Sequence, residues 1–430
     1  MNNRRTTVIS IALIALVFFI IGFVSWLNAI LIPYFKIACE LNNLQSYLVA
    51  FAFYIAYLVM SVPAGLLLKR VGFKRGMSIA FFFLATGAMM FVPAALTRIY
   101  GIFLTGLFTI GTGMSILQTA ANPYITIIGP IERAAQRMSI MGICNKFAGI
   151  VSPLIFAAVV LKVTDSDLFS SLPDMTEMAK NAALDELIRR VIMPYSILSI
   201  FLIFCGLLIR FSILPEINTE EESKEVAESH GGKRSVIQFP YLILGVVAIF
   251  THCGTQIISI DTIISYANSY GLDLLEAKAF PSFVLAATII GYATGIICMP
   301  KLISQTNALR FCTIIGLMLS FCIIFFHGAV TFFGHTVDIS VWFLAALGLP
   351  NALVYAGIWP LAIRNLGRFT KTGSSLLIMG LTGNALFPLA YGGLVDVIGG
   401  RHAYWLLIPL YIYLVFYAVY GHKIINWTKK

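Results

Sequence analysis

The chain has 430 residues, 59% hydrophobic and 11% charged, with a formal net charge of +10 and a mean hydropathy of +0.90. A water-soluble fold of this length is about half apolar and about a quarter charged, and its surface cannot shrink fast enough with size to hide so large an excess. The composition excludes an ordinary soluble enzyme or binding domain and makes lipid the expected solvent.

A helical span takes about 20 apolar residues. Twelve runs meet that length: 8–35, 44–68, 77–96, 99–128, 138–162, 191–213, 239–268, 276–300, 310–333, 337–363, 372–398 and 403–425. The first is too long for the apolar part of an export signal and has no small-residue cleavage site, so it is expected to stay as the first span. Between the second and third, "KRVGFKRG" (69–76) supplies four basic residues. Within the polar stretch 165–190, "MTEMAKNAALDELIRR" predicts a short surface helix. After the sixth run, "PEINTEEESKEVAESHGGKRS" (215–235) passes from acidic to glycine-rich to basic, as a cytoplasmic linker would. The expected organisation is an N-terminal six-helix bundle (1–214), a linker (215–238) and a C-terminal six-helix bundle (239–430). Arg364, Arg368 and Lys371 follow the tenth run. Lys and Arg fall mainly on the side that holds both termini, which the positive-inside rule makes cytoplasmic. Topology and anionic headgroups thus account for the net charge, and basic residues scattered over short loops are a poor nucleic-acid surface. The seven cysteines (39, 144, 205, 253, 298, 312 and 322) lie mostly inside runs without paired spacing, as apolar fillers do.

The two halves echo one another. "SIMGICNKFAGIVSP" (139–153) matches "LIMGLTGNALFP" (377–388), and "WLNAILIPY" (26–34) lines up with "SIDTIISYA" (259–267), which sets Asn28 opposite Asp261. Such repeats predict a pseudo-twofold axis along the membrane normal and a site at the repeat interface.

Ionisable groups inside a bilayer cost several kcal/mol unless paired or hydrated, so each is a functional hypothesis. Only Lys146 and Asp261 are expected deep within spans. Around them stand Trp26, Asn28, Gln118, Asn122, Asn145 and Gln256, with Tyr355, Trp359 and Asn384 in the second half. Gln118 and Asn122, four residues apart in "GMSILQTAANPYITIIGP" (113–130), share a helix face, and Pro123 removes a backbone hydrogen bond beside them. Gly106, Gly111 and Gly113 permit close helix approach on the same run. Against each functional reading stands a plain one: span amides bridge helices, lone aromatics pack, and Lys146 could be a structural partner of Asp261. His252 is the one histidine worth following. No Walker sequence, H-E-x-x-H or metal-ligand cluster is present, so neither an enzyme nor a cofactor is expected. Amides, aromatic faces and a single acid suit a neutral polyhydroxylated ligand, whose hydroxyl pairs take bidentate bonds and whose C–H faces lie on rings.

"WLNAILIPYF", "QTAANPYITIIGPIE", "GICNKFAG" and "NLGRFTKTGSSLLIMG" together resemble the major facilitator superfamily, and within it the fucose–galactose–glucose symporter family, over nearly all twelve spans. The pattern is closest to that family's glucose/galactose transporters, whose seventh span resembles "IDTIISYAN". The resemblance implies an all-α membrane protein of twelve transmembrane helices in two pseudo-symmetric bundles. It implies uptake of glucose or galactose with a proton or sodium ion, by a monomer in a bacterial inner membrane with both termini cytoplasmic. Departures shape that reading. Ala29 and Gln118 stand where fucose/proton symporters carry acids, Lys69 stands where the superfamily loop carries Asp, and Asn145 is retained beside Lys146. Coupling would then have moved to Asp261, which could bind a proton or, with amide and carbonyl oxygens, Na⁺. The alternatives are transport of another sugar or amino sugar, or uncoupled facilitation with Asp261 and Lys146 as a fixed ion pair.

Overall fold

A computed structural model describes residues 2–41, 43–160, 171–216, 235–272, 274–277, 279–299 and 301–427. In the first half the helices are α1 (Asn2–Ala38), α2 (Asn43–Met89), α3 (Phe91–Thr97), α4 (Tyr100–Ile127), α5 (Ala134–Val160), α6 (Glu177–Arg189) and α7 (Ile192–Phe211). The second half has α8 (Pro240–Asp261), α9 (Ile263–Ser269), α10 (Leu274–Ala277), α11 (Phe280–Cys298) and α12 (Gln305–Phe325). A hairpin of β1 (Ala329–Phe332) and β2 (His335–Asp338) follows, then α13 (Ile339–Ala346), α14 (Gly348–Ile363), α15 (Thr370–Met379), α16 (Gly383–Ile398) and α17 (Leu407–Val419). Most of the predicted linker, and residues 165–170, lie outside the described residues.

Among the described residues, 11 segments are long and apolar enough to cross a membrane, and each of the twelve predicted runs overlaps one of them. The runs 44–68 and 77–96 share Phe51–Thr97, where Gly72 at φ 82°, ψ 176° interrupts α2. Only glycine adopts that φ cheaply. The Glu216 carboxylate caps the helix that restarts there, accepting from the backbone N–H of Phe73 at 2.5 Å and of Lys74 at 3.3 Å. The predicted surface helix exists as α6, with Thr176 accepting from the Ala179 N–H as its N-cap. All seven cysteines are free.

Several runs differ from a single continuous helix, three of them most clearly. The run 239–268 is broken at Thr262, between α8 and α9. The run 276–300 begins as a helix only at Phe280, with Glu276 in the short α10. The run 310–333 stops being helical at Phe325, and its end forms β1. Phe333 and Gly334, at φ 51° and 82°, make the two-residue turn that joins the strands, and Phe332 is opposite His335. An apolar count cannot separate a phenylalanine-rich strand from a helix end.

The chain divides into two compact units, Met1–Ala121 with Cys144–Ile217, and Asn122–Ile143 with Asn218–Lys430. In the first, α4 is central because its glycines meet backbone. A Cβ at Gly111 would stand 2.3 Å from the Phe53 carbonyl oxygen, and one at Gly113 2.8 Å from that of Ala80. α7 lies along the second part of α2, where Ser78 and Ser199 donate to the carbonyls of Gly206 and Ala85. Near the end of α3, Arg98 pairs with Glu40 and Asp185, and Lys180 pairs with Glu40 at 2.5 Å. The Lys180 hydrogen bond, reinforced by the charges of Lys180 and Arg98, holds the Glu40 carboxyl below its ordinary value.

In the second unit, Arg137 is buried and spends its guanidinium on the carbonyls of Ile125, Thr126 and Pro130, at 2.8–2.9 Å, closing the C-terminal end of α4. Gln136 donates to the Ile296 carbonyl at 2.8 Å, and the Gln305 amide accepts from the Ala135 N–H and donates to the Ile131 carbonyl. Asp338 caps α13 and pairs with Arg401 at 3.5 Å. Burial pushes its carboxyl up, but bonds from Ser340 and Gly328 and the Arg401 charge outweigh that and hold it low.

Candidate functional site

The polar residues picked out in the sequence divide between the two units. In the first, Gly22 lets α1 close on α5: a Cβ there would stand 2.2 Å from the Asn145 carbonyl oxygen. Four residues along α1, the Trp26 indole lies against Gly149, and the Lys146 ammonium sits 5.1 Å from its ring centre. Lys146 is buried and Trp26 half-buried, so the cation lies against a ring that is only partly enclosed. The Asn145 amide reaches the Phe18 carbonyl at 3.4 Å, a bond between helices. Gln118 is half-buried, and its Nε2 donates to the Tyr57 hydroxyl at 2.9 Å. The Asn28 side chain lies outside the described residues.

In the second unit, Asn122 is 1% exposed and hydrogen-bonds the Tyr355 hydroxyl. Trp359 is fully buried, its ring 5.9 Å from that of Tyr355, which is itself half-buried. His252 is buried with its ring 6.2 Å from Tyr355. Gln256 and Asn384 are half-exposed, and among the described residues neither side chain has a hydrogen-bond partner. Asp261 ends α8 where the helix breaks, likewise without a hydrogen bond or ion pair among the described residues. Its side chain is exposed although protein atoms crowd around it.

Sequence reasoning missed a second kind of residue. Asn351 on α14 is 1% exposed, and its Oδ1 accepts from the Tyr411 hydroxyl at 2.7 Å and the Thr255 hydroxyl at 3.2 Å. Its amide is fully committed inside the protein, which makes it a joint. Tyr57 was missed because nothing about a span tyrosine announces an amide beside it, and Arg137 because it reads as a loop charge. An amide in a span was a signal for Asn351, and it went unused.

Chemically, accessible amides and a carboxylate with no protein partner among the described residues suit hydrogen bonds from outside, and a ring held by a cation is a platform. The Major Facilitator Superfamily profile matches residues 14–382. The chain belongs to the Major Facilitator Superfamily. It is a membrane transporter of that superfamily, not an enzyme. It is 33% identical over 425 residues to the glucose/galactose transporter of Brucella abortus biovar 1 (strain 9-941), covering 98% of this chain and 96% of that one. It is 28% identical over 402 residues to the L-fucose-proton symporter of Escherichia coli (strain K12), covering 93% and 89%. A crystal structure of the E. coli fucose:proton symporter matches with a TM-score of 0.80 at 25% identity, covering 96% of this transporter and 98% of that chain.

Proposed function

We propose that this transporter takes up a hexose, glucose or galactose, across a bacterial inner membrane by cation-coupled symport. Two six-helix bundles, 1–214 and 239–430, joined by the linker 215–238 and with both termini cytoplasmic, would alternate access. The observation that carries the reading is the 33% identity, spread over nearly the whole of both chains, to a glucose/galactose transporter. The accessible Gln118, Gln256, Tyr355 and Asn384 serve as hydroxyl-binding groups, and Trp26 serves as the ring platform. Lys146 holds Trp26, and Asn145, Asn122 and Trp359 support their neighbours. Asp261 takes the coupling ion, H⁺ or Na⁺: the C-terminal end of an interrupted helix adds its negative dipole end to the carboxylate, a setting that draws a cation.

The test is uptake of radiolabelled glucose and galactose into proteoliposomes under imposed pH or Na⁺ gradients, with other sugars and amino sugars as competitors. Concentrative uptake driven by one gradient identifies the ion and the hexose. Equilibration without accumulation under either gradient leaves a facilitator, and no uptake of either hexose overturns the reading.

A further inference from the structure

We propose that the C-terminal end of α17 carries a site for an anionic phospholipid, whose phosphate lies among Arg310, Arg364 and Lys423 and whose acyl chain lies along the exposed face of α17. The inference does not depend on which solute is carried.

The cations are gathered by the end of a helix. α17 and the residues after it form one span, His402–Lys423, and the last carbonyls of such a helix need donors. Arg310 of α12 donates from Nε to the Ala418 carbonyl at 3.1 Å and from Nη1 to the Asn307 side chain at 3.1 Å. Arg364, the residue after α14, donates to the His422 carbonyl, and its guanidinium lies 5.4 Å from the centre of the Tyr241 ring. The Tyr241 hydroxyl in turn donates to the Arg364 carbonyl at 2.8 Å. Lys423 follows His422 directly and is exposed. His422 is buried, and the charges of Arg310, Arg364 and Lys423 all act on it, so the three share one small region.

Cations answer the dipole at a helix C-terminus, and that accounts for part of the cluster. It does not account for the rest. A guanidinium has five N–H donors. Among the described residues Arg310 uses two and Arg364 one, and the nitrogens left over are not buried. The Lys423 ammonium has no hydrogen bond there, and none of the three cations pairs with a carboxylate among the described residues. Like charges held together repel until an anion joins them, and two guanidinium forks with an ammonium suit the oxygens of a phosphate.

The apolar half of the ligand follows from periodicity. Pro409, Ile412, Phe416 and Tyr420 are all exposed and recur at spacings of three and four, so they form one stripe along the span. An exposed apolar stripe on a spanning helix faces lipid. This one runs into the cations. The Phe416 ring comes within 3.3 Å of where a Cβ on Gly421 would stand, and the Lys423 N–H donates to the Tyr420 carbonyl at 2.9 Å. An apolar bed that ends in unpaired cations matches a phospholipid rather than a free anion.

The test is lipid binding to the full chain in neutral detergent, counted by native mass spectrometry, with phosphatidylglycerol and phosphatidylcholine of the same acyl chains. Phosphatidylglycerol should fill a saturable site, with phosphatidylcholine about tenfold weaker. Lys423→Gln should raise the phosphatidylglycerol Kd about fivefold and leave the melting temperature in detergent unchanged. Lys423→Arg should bind as the wild type does. Arg364→Gln should weaken binding by a similar factor, but it also uncaps the His422 carbonyl, so Lys423→Gln is the decisive variant. Tyr420→Ser should raise the Kd about threefold, as the chain loses its bed. Equal binding of the two lipids, or a Kd that Lys423→Gln or Tyr420→Ser leaves alone, would overturn the proposal. Displacement of the lipid by inorganic phosphate would overturn it too, by marking a free-anion site. Binding that appears only in the Glu220→Gln, Glu221→Gln, Glu222→Gln triple variant would do the same, by giving the cations to the linker.

Discussion

Asn351 and Gln256 are both span amides, and the structure separates them so sharply that two substitutions should have opposite effects. Asn351→Leu keeps the volume but removes the acceptor that the buried Tyr411 hydroxyl uses at 2.7 Å. The Thr255 hydroxyl loses its 3.2 Å contact yet keeps the His252 carbonyl at 2.9 Å, so only the Tyr411 hydroxyl loses its acceptor. A buried unsatisfied group costs about 1–3 kcal/mol. Measured interhelical bonds in membranes average about 0.6 kcal/mol, because the unfolded chain also finds partners there. The low end of the first range, about 1 kcal/mol, is therefore the expected loss. Gln256→Leu removes an accessible amide that has no protein partner among the described residues, so stability should stay within about 0.5 kcal/mol of wild type. Its sugar Kd should rise about tenfold, whereas that of Asn351→Leu should stay within about twofold. Thermal unfolding in detergent and equilibrium sugar binding, run on both variants, read the two quantities separately. An early-melting Gln256→Leu with unchanged Kd, beside an Asn351→Leu that melts with the wild type, would show that burial and satisfaction do not sort these amides.

Asp261→Asn should abolish accumulation against a gradient while sparing counterflow exchange, because the amide keeps the shape and loses the site for the ion; unchanged concentrative uptake in proteoliposomes refutes that role. Glu40, held low by Lys180 and Arg98, should contribute stability above its ordinary value of 4.5 and lose it as the pH falls through its depressed native one. Melting followed from neutral to acidic pH should therefore drop less steeply in Glu40→Gln than in wild type, and parallel curves would remove Glu40 from the cluster. Gly72→Ala places a side chain at φ 82° and should cost about 1 kcal/mol, measured as a lower melting temperature. Equal melting would mean that α2 can restart without a glycine.

The membrane-spanning architecture was legible because it depends on run length and on charge placement, both one-dimensional quantities. The Gly72 break was within reach, since a lone glycine between basic residues is a turn signal, but apolar counting does not weigh it. The break at Thr262 was not, because Ser, Asp and Thr at the end of α8 are as compatible with a continued helix as with a stop. The hairpin was lost to its own composition: Phe332 and Phe333 extend the hydropathy of α12 past its real end at Phe325. Tyr57 and Asn351 belong to a third class. Their roles come from what lies across a helix contact, and no spacing along the chain carries that.

The repeat explains why residue type alone sorted the site imperfectly. At one constant offset, Gly111 of α4 corresponds to Gly348 at the start of α14, Gln118 to Tyr355, Asn122 to Trp359 and Pro123 to Pro360. The glycines answer the same demand, since both would drive a Cβ into the backbone of a neighbouring helix. The side chains differ completely, amides in the first repeat and rings in the second. Access nevertheless follows position: Gln118 and Tyr355 are half-buried, while Asn122 and Trp359 are 1% and 0% exposed. Backbone placement, set by where glycine lets helices touch, therefore goes with which residue of each pair is accessible. The chemistry of that residue decides only what the ligand is offered. Choosing candidates by polarity took both members of each pair; exposure leaves Gln118 and Tyr355 as the more accessible member of each.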